Sequence, residues 1–215
     1  MTELRLIELF PSVQGETSWT GLSTTFVRLA ACNLRCTWCD TPYSFVRGTP
    51  YSLETILARI EEFGCRHVCI TGGEPLLQKN VYFLMQTLAD RNYCISLETG
   101  GSLSTEQVNP RVKVILDIKC PGSGMHLKNE WKNVSRLNPH DEVKFVLAHR
   151  EDYLYAKEVC EKYNLFTRDL PVLLSPVHGV LNPQILVKWM LEDKIPVRLN
   201  LQIHKFIWTP ETRAV

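Results

Sequence analysis

The sequence predicts an α/β fold: a parallel sheet of about six or seven strands with helices outside it, curled into a partial barrel. Three observations carry this reading. Apolar, strand-like runs alternate with stretches of helical periodicity, which implies right-handed βαβ units. Glycines and polar residues gather just after the strands, as at Gly72-Gly73-Glu74-Pro75, Glu98-Thr99-Gly100-Gly101 and Ser175-Pro176-Val177-His178-Gly179. Open α/β sheets and βα barrels place their ligands at such strand ends. The strand count is too small for a closed eight-fold barrel.

The 215 residues predict a single domain spanning 1–215, with ample length for a core. Apolar content of 45% and charged content of 22% are ordinary for a soluble globular chain. A net charge of +1 argues against a broad nucleic-acid or membrane footprint. No apolar run approaches a membrane span, and Met1-Thr2-Glu3-Leu4-Arg5 does not begin like a signal peptide. Eight cysteines without a leader predict a reducing cytoplasm.

Residues 4–10 read as a strand, followed by a Ser/Thr/Gly-rich turn region holding Gln14-Gly15-Glu16. Residues 26–30 read as a strand leading into the cysteine loop. Arg28 within it is either a charge on the solvent face or a guanidinium aimed at an anion. Ser52 is a good N-cap, and Leu53, Ile56, Leu57, Ile60 and Phe63 share one helical face that Gly64 closes. A strand over 67–71 delivers the Gly-Gly-Glu-Pro turn, where glycines admit a close ligand and Glu74 can accept from an amine. A helix follows over 81–90, then strands over 93–97 and 112–118. Helical periodicity is weak over 121–139, so one barrel helix is expected to be short or missing. A strand over 141–148 precedes a helix over 151–163 that buries Tyr153, Ala156, Cys160 and Tyr163. After a strand over 172–174, Asn182-Pro183 opens a helix burying Ile185, Leu186, Trp189 and Met190. The final strand is expected over 197–203, before His204, Lys205 and a tail containing Trp208. No internal repeat, low-complexity tract or linker is found.

The densest chemistry lies in Cys32-Asn33-Leu34-Arg35-Cys36-Thr37-Trp38-Cys39-Asp40-Thr41. Thiols in a C-x3-C-x2-C spacing, with no sign of export, read as soft metal ligands rather than disulfide partners. A structural zinc site wants four ligands, and the nearest further candidates, Cys65 and His67, are a predicted helix away. Three thiolates can instead hold three irons of a four-iron, four-sulfur cluster, leaving the fourth iron open to a ligand. Cys65, Cys69, Cys94, Cys120 and Cys160 are irregularly spaced and read as small buried apolar residues.

That spacing, with the aromatic Trp38 before the third cysteine and a Gly-Gly-Glu-Pro turn downstream, resembles the radical S-adenosylmethionine (SAM) enzymes. The resemblance implies a [4Fe-4S] cluster whose open iron is chelated by SAM, and reductive cleavage of SAM to a 5′-deoxyadenosyl radical. Ser12-Val13-Gln14-Gly15-Glu16, Phe26-Val27-Arg28, Cys39-Asp40-Thr41, Thr71 to Pro75 and Gln202-Ile203-His204-Lys205 further resemble the 7-carboxy-7-deazaguanine synthases. That family contracts 6-carboxy-5,6,7,8-tetrahydropterin to 7-carboxy-7-deazaguanine with loss of ammonia, on the route to queuosine and related deazapurines. Its members are homodimers, and the fold it implies is a partial, modified (β/α) radical SAM barrel of about six parallel strands.

Carried onto this chain, the resemblance implies that Cys32, Cys36 and Cys39 hold the cluster. Trp38, Cys39, Asp40, Gly73, Glu74, Asp117, Ile118 and Lys119 would lie against SAM. Val13, Gln14, Gly15, Glu16, Arg28, Thr71 and His204 would surround the pterin, and Thr41 would ligate magnesium. An electron donor such as flavodoxin or ferredoxin is implied as a partner, with no nucleic acid and no membrane. Two departures stand out. Asp117-Ile118 replaces the Ser-Pro of many relatives, and the chain runs on to Val215 where some relatives stop soon after the His-Lys pair. His178 and His204 also read as ordinary turn histidines bonded to backbone, although the place of His204 after the last strand favours a ligand role.

Two other readings fit parts of the sequence. A small radical SAM activase that installs a glycyl radical on a partner protein would share the cysteines and Gly-Gly-Glu-Pro. It would not need Gln14, Glu16 and Arg28, and it would need an open groove rather than a closed pocket. A non-enzymatic zinc or electron-transfer module would use the cysteines alone.

Overall fold

The structure, a computed structural model, describes residues 2–209 and 212–214. Met1, the first residue of the opening, and Val215, where the lengthened tail ends, lie outside them. β1 (Glu3–Val13) pairs antiparallel with β2 (Ser23–Leu29), Leu9 opposite Val27. A short β3 (Thr49–Ser52) adds antiparallel to the other side of β1. The sequence reading missed it, because Thr-Pro-Tyr-Ser has turn composition. Its Pro50 is tolerated because β3 lies at the edge of the sheet.

From β2 onward every pairing is parallel: β4 (His67–Gly72), β5 (Cys94–Thr99), β6 (Lys113–Asp117), β7 (Glu142–Leu147), β8 (Val172–Pro176) and β9 (Arg198–Leu199). The order is β3-β1-β2-β4-β5-β6-β7-β8-β9, with β3 and β9 at opposite edges. The expected last strand is thus cut to two residues. Asn200 turns the chain away, its side chain accepting from the Thr17 amide at 2.8 Å and donating to Ser175 Oγ at 2.8 Å. Satisfying those buried groups draws the chain across the end of the sheet, where the Ile203 amide donates to the Gly15 carbonyl.

α1 (Leu53–Phe63) begins as its sequence predicts. Ser52 Oγ accepts from the Thr55 amide, and Gly64 ends the helix at φ 68°. It buries Ile56 and Ile60, with Leu53 and Leu57 packed more shallowly. α2 (Val81–Asp90) covers the same half of the sheet. The weakly periodic stretch yields only α3 (Lys132–Arg136) and two short 3₁₀ turns. α4 (Arg150–Lys162) buries Tyr153, Ala156 and Cys160, leaving Tyr163 partly covered. α5 (Pro183–Asp193), capped by Asn182 Oδ1 on the Gln184 amide, fully buries Leu186 while Ile185 lies exposed. A final turn, α6 (His204–Ile207), follows the span expected to be strand.

Two apolar clusters hold the molecule. One joins β1, β2, β4 and β5 to α1 and α2; the other joins β6, β7 and β8 to α4 and α5. Each fully buried Leu or Ile contributes about 1.5–3 kcal/mol by leaving water. Both clusters lie under the helices, so the inner face of the sheet and its carboxyl ends remain for polar residues. Among the described residues no helix is long and apolar enough to cross a membrane.

Candidate active site

The cysteine loop between β2 and β3 has almost no regular structure beyond a 3₁₀ turn at Pro42–Phe45. Backbone bonds from three directions hold it. The Ala31 amide donates to Ser44 O at 2.7 Å, the Glu74 amide to Ala31 O at 2.9 Å, and the Thr37 amide to Ser123 O at 3.1 Å. Gly73 makes this seating possible, since a Cβ there would overlap the Ala31 carbonyl and lie 2.8 Å from Cys32 Cβ. Cys32, Cys36 and Cys39 are free thiols, partly buried, and all three line one cavity. Burial raises all three above the ordinary cysteine value, and the Lys119 ammonium works against that rise. Three soft sulfur donors on one loop beside a cation have the chemistry of iron-sulfur ligation. Among the described residues no group of three or more His, Cys, Asp and Glu side chains could hold a single metal ion.

The cavity, about 550 Å³, opens at the carboxyl ends of the parallel strands. Sheet register sets its inner wall: Arg28 stands beside Thr71, and Asp117 beside Lys144. Arg28 Nε donates to Glu8 Oε2 at 2.7 Å, so its partner inside the protein is already an anion. Burial opposes the Arg28 charge, but Tyr43 and Glu8 raise its pKa above the ordinary arginine value. Lys144 Nζ donates to Glu16 Oε2 at 2.9 Å and lies 3.9 Å from Asp117 Oδ2. Lys119 Nζ pairs with Asp117 Oδ2 at 3.0 Å, while Asp117 Oδ1 is buried and has no hydrogen-bond partner among the described residues. Burial pushes the Glu16 carboxyl up, yet Lys144 and Gln202 outweigh it and hold Glu16 below the ordinary range. Glu98 goes the other way: burial lifts its pKa, and Lys144 offsets this only in part.

Most of the residues that the resemblance implies meet in this one cavity. Val13, Gln14, Gly15, Glu16, Arg28, Trp38, Asp40, Thr41, Thr71, Gly73, Asp117, Lys119 and His204 all line it with the three cysteines. Gln14 is nearly buried, and its amide is spent inside the protein, accepting from the Glu16 amide and donating to Glu98. Thr41 Oγ1 donates to Asp40 Oδ1 at 2.8 Å, which leaves its lone pairs free beside a carboxylate. His204 packs against Gly15, where a Cβ would overlap its imidazole, and burial lowers its pKa. His178 also faces the cavity.

Two residues stand apart. Ile118 packs in the core beneath β6, not on the cavity. Glu74 is fully buried behind the wall, its carboxylate accepting from the Leu76 and Gly100 amides and from Thr99 Oγ1. Sequence reasoning also passed over Lys144, Glu98 and Gln202 as site residues. The available signal was a lysine among the apolar residues of 143–147, and a glutamate two residues before a Gly-Gly turn.

A parallel α/β sheet with three thiols on the loop after its first parallel strand defines a class of enzyme. The model of the "Radical SAM superfamily" matches residues 27–120. A 7-carboxy-7-deazaguanine synthase of Koribacter versatilis is 41% identical, over 99% of this chain and 100% of the relative. Another from Chlorobaculum tepidum is 42% identical, over 99% of this chain and 97% of the relative. The crystal structure of QueE from Escherichia coli superposes with a TM-score of 0.75 at 24% identity, covering 94% of this chain and 95% of that one. The chain belongs to the 7-carboxy-7-deazaguanine synthase family, and its fold is the α/β fold of radical SAM enzymes.

Proposed function

We propose that this chain converts 6-carboxy-5,6,7,8-tetrahydropterin to 7-carboxy-7-deazaguanine, releasing ammonia, by radical SAM chemistry. One observation carries the reading beyond family membership: the cavity that receives the three thiols also holds a charged chamber of half-buried Glu16, Arg28 and Asp117 around a buried Lys144. A volume of about 550 Å³ suits a small, flat, polar molecule beside a cofactor. A protein substrate presenting a backbone segment would gain nothing from buried carboxylates and ammonium groups, which speaks against the activase reading.

Cys32, Cys36 and Cys39 would hold a [4Fe-4S] cluster, and Trp38, Asp40, Gly73 and Lys119 would flank SAM. When bound, this pair supplies the 5′-deoxyadenosyl radical. The chain's own part is to place one C–H bond of the substrate beside it and exclude water. Thr71 and His204 line the pterin site, Arg28 presents its remaining guanidinium donors to the substrate carboxylate, and Glu16 accepts from the ring. Thr41, with Asp40 beside it, would ligate magnesium and steer the rearrangement. Glu74 supports the site from behind through Gly100, and Ile118 contributes only its backbone. The protein acts as a single domain and a homodimer in the cytoplasm, reduced by a flavodoxin or ferredoxin.

The test is anaerobic turnover of the reconstituted protein with SAM, a reductant and carboxytetrahydropterin. Carboxydeazaguanine and 5′-deoxyadenosine are expected together. SAM cleavage with no product from the pterin would overturn the substrate assignment. Colourless protein with stoichiometric zinc would overturn the radical SAM assignment as well.

A further inference from the structure

One cation of the chamber has no role in the assignments above. We propose that Lys144 is a positioning residue, holding the Glu16 carboxylate ionised and oriented so that it accepts hydrogen bonds from the pterin's amino-pyrimidine edge. The inference rests on the pterin reading of the cavity.

Lys144 is only 7% exposed, on a strand whose neighbours Val143 and Phe145 are fully buried. An ammonium in such surroundings is costly unless it is paired. Its partner Glu16 arrives from the loop after β1, 128 residues away in sequence. The two oxygens of Glu16 are taken from different sides. Lys144 donates to Oε2, and Gln202 Nε2, on the segment before α6, donates to Oε1 at 2.8 Å. Two donors, one to each oxygen, fix the plane of the carboxylate, and each oxygen keeps a lone pair for a ligand.

Charge makes Lys144 the dominant member of the pair of donors. The groups facing Glu16 are Lys144 from β7, Asp40 from the cysteine loop, Glu98 from β5, and His204 and Gln202 from the last segment, with Asp117 from β6 on the far side of Lys144 at 3.9 Å. Burial opposes ionisation of Glu16 most, and the charges of Asp40 and Glu98 oppose it too. Lys144 is the near cation that reverses the balance. Were it removed, Glu16 would take up a proton more readily, and the oxygen carrying it would become a donor. The ring N–H and exocyclic amine of an amino-pyrimidinone are themselves donors, so the fit would be lost. The sign follows. Glu16 lies below the ordinary carboxylate value in the native protein, so pterin binding persists as the pH falls. Without Lys144 its pKa rises, and binding fails at a higher pH.

The experiment is anaerobic equilibrium binding of carboxytetrahydropterin to the reconstituted protein, followed by tryptophan fluorescence between about pH 5 and pH 8. Lys144→Met is expected to weaken binding roughly tenfold to a hundredfold at neutral pH. The acid limb of its binding profile should move up by about one pH unit or more. Lys144→Arg should restore most of the affinity and the native limb. Glu16→Gln should bind weakly at every pH with no acid limb, and Lys144→Met combined with it should add nothing further. Native affinity and an unmoved limb in Lys144→Met would overturn the proposal, as would additivity in the double variant. If Lys144→Met does not fold, an acid limb that survives in Glu16→Gln overturns it instead. A wild-type protein that does not bind the pterin at all overturns the pterin reading itself, whereas native binding insensitive to Lys144 overturns this inference alone.

Discussion

The cysteine loop and the inner wall face each other across one cavity, yet they are built in opposite ways. The loop carries its three thiols within a single short segment, partly exposed, and backbone bonds and a missing side chain at Gly73 hold it in place. The wall takes Glu16, Glu98, Asp117 and Lys144 from four separate stretches, buries Lys144 and half-buries the three carboxylates, and holds them by side-chain charge. A loop held by backbone tolerates a ligand that brings its own bonding, since few side-chain geometries are fixed before the cluster arrives. A wall held by charge is fixed before any ligand arrives, because each buried group already needs its partner. On the proposed reading the two halves divide the work: the loop would receive the cofactors, and the wall would read the substrate.

The largest expected effect breaks the loop alone. Reconstituted protein should carry about four irons and four sulfides, and Cys36→Ala should lose them. Cys65→Ala, whose thiol lies off the cavity, should keep them. Iron and sulfide analysis decides, and equal bleaching by both variants would end the three-thiolate assignment. Gly73→Ala comes next. Its new methyl group must displace the Ala31 carbonyl, so stability should fall by about 1–3 kcal/mol and SAM affinity by roughly tenfold or more. Thermal unfolding and SAM titration of the same sample would separate the two losses, and unchanged SAM affinity would show that Gly73 matters to the fold only.

Thr41→Val tests the boundary between the two regions. It removes one oxygen from beside Asp40 and leaves the thiols untouched. Magnesium stimulation of turnover should disappear and the rate drop about tenfold, with normal iron content. A variant that still responds to magnesium would remove Thr41 from the metal site. Glu74→Ala should have the smallest chemical effect and a clear structural one. Its loss leaves the Leu76 and Gly100 amides and the Thr99 hydroxyl without their acceptor, a cost of about 1–3 kcal/mol. SAM affinity should fall less than in Gly73→Ala, and a larger fall would place the Glu74 carboxylate against SAM after all.

The contrast between loop and wall also marks what could be read before the structure was known. Cys32, Cys36, Cys39 and Trp38 are informative by spacing alone, because their neighbours in space are their neighbours in sequence. The caps Ser52, Gly64 and Asn182 are legible for the same reason, and so is the alternation of strands and helices. Family resemblance reached further, to Gln14, Glu16, Arg28 and His204, and all four line the cavity. Their partners were another matter. Gln14 reads as a substrate ligand, yet its amide is used by Glu16 and Glu98, and the Glu74 turn hides its carboxylate behind Gly100. The edge strand β3 and the early end of β9 depend on β1 and on Asn200, neither of which a local window contains.

By itself, then, the sequence determined the cysteine loop, the βαβ order and the glycine that lets the loop sit against β4, since each rests on residues a few positions apart. Only the tertiary structure decided that Lys144 meets Glu16 and that Asp117 stands beside it. A strand residue faces the cavity or the core according to sheet register, and register is a relation between strands rather than a property of either one.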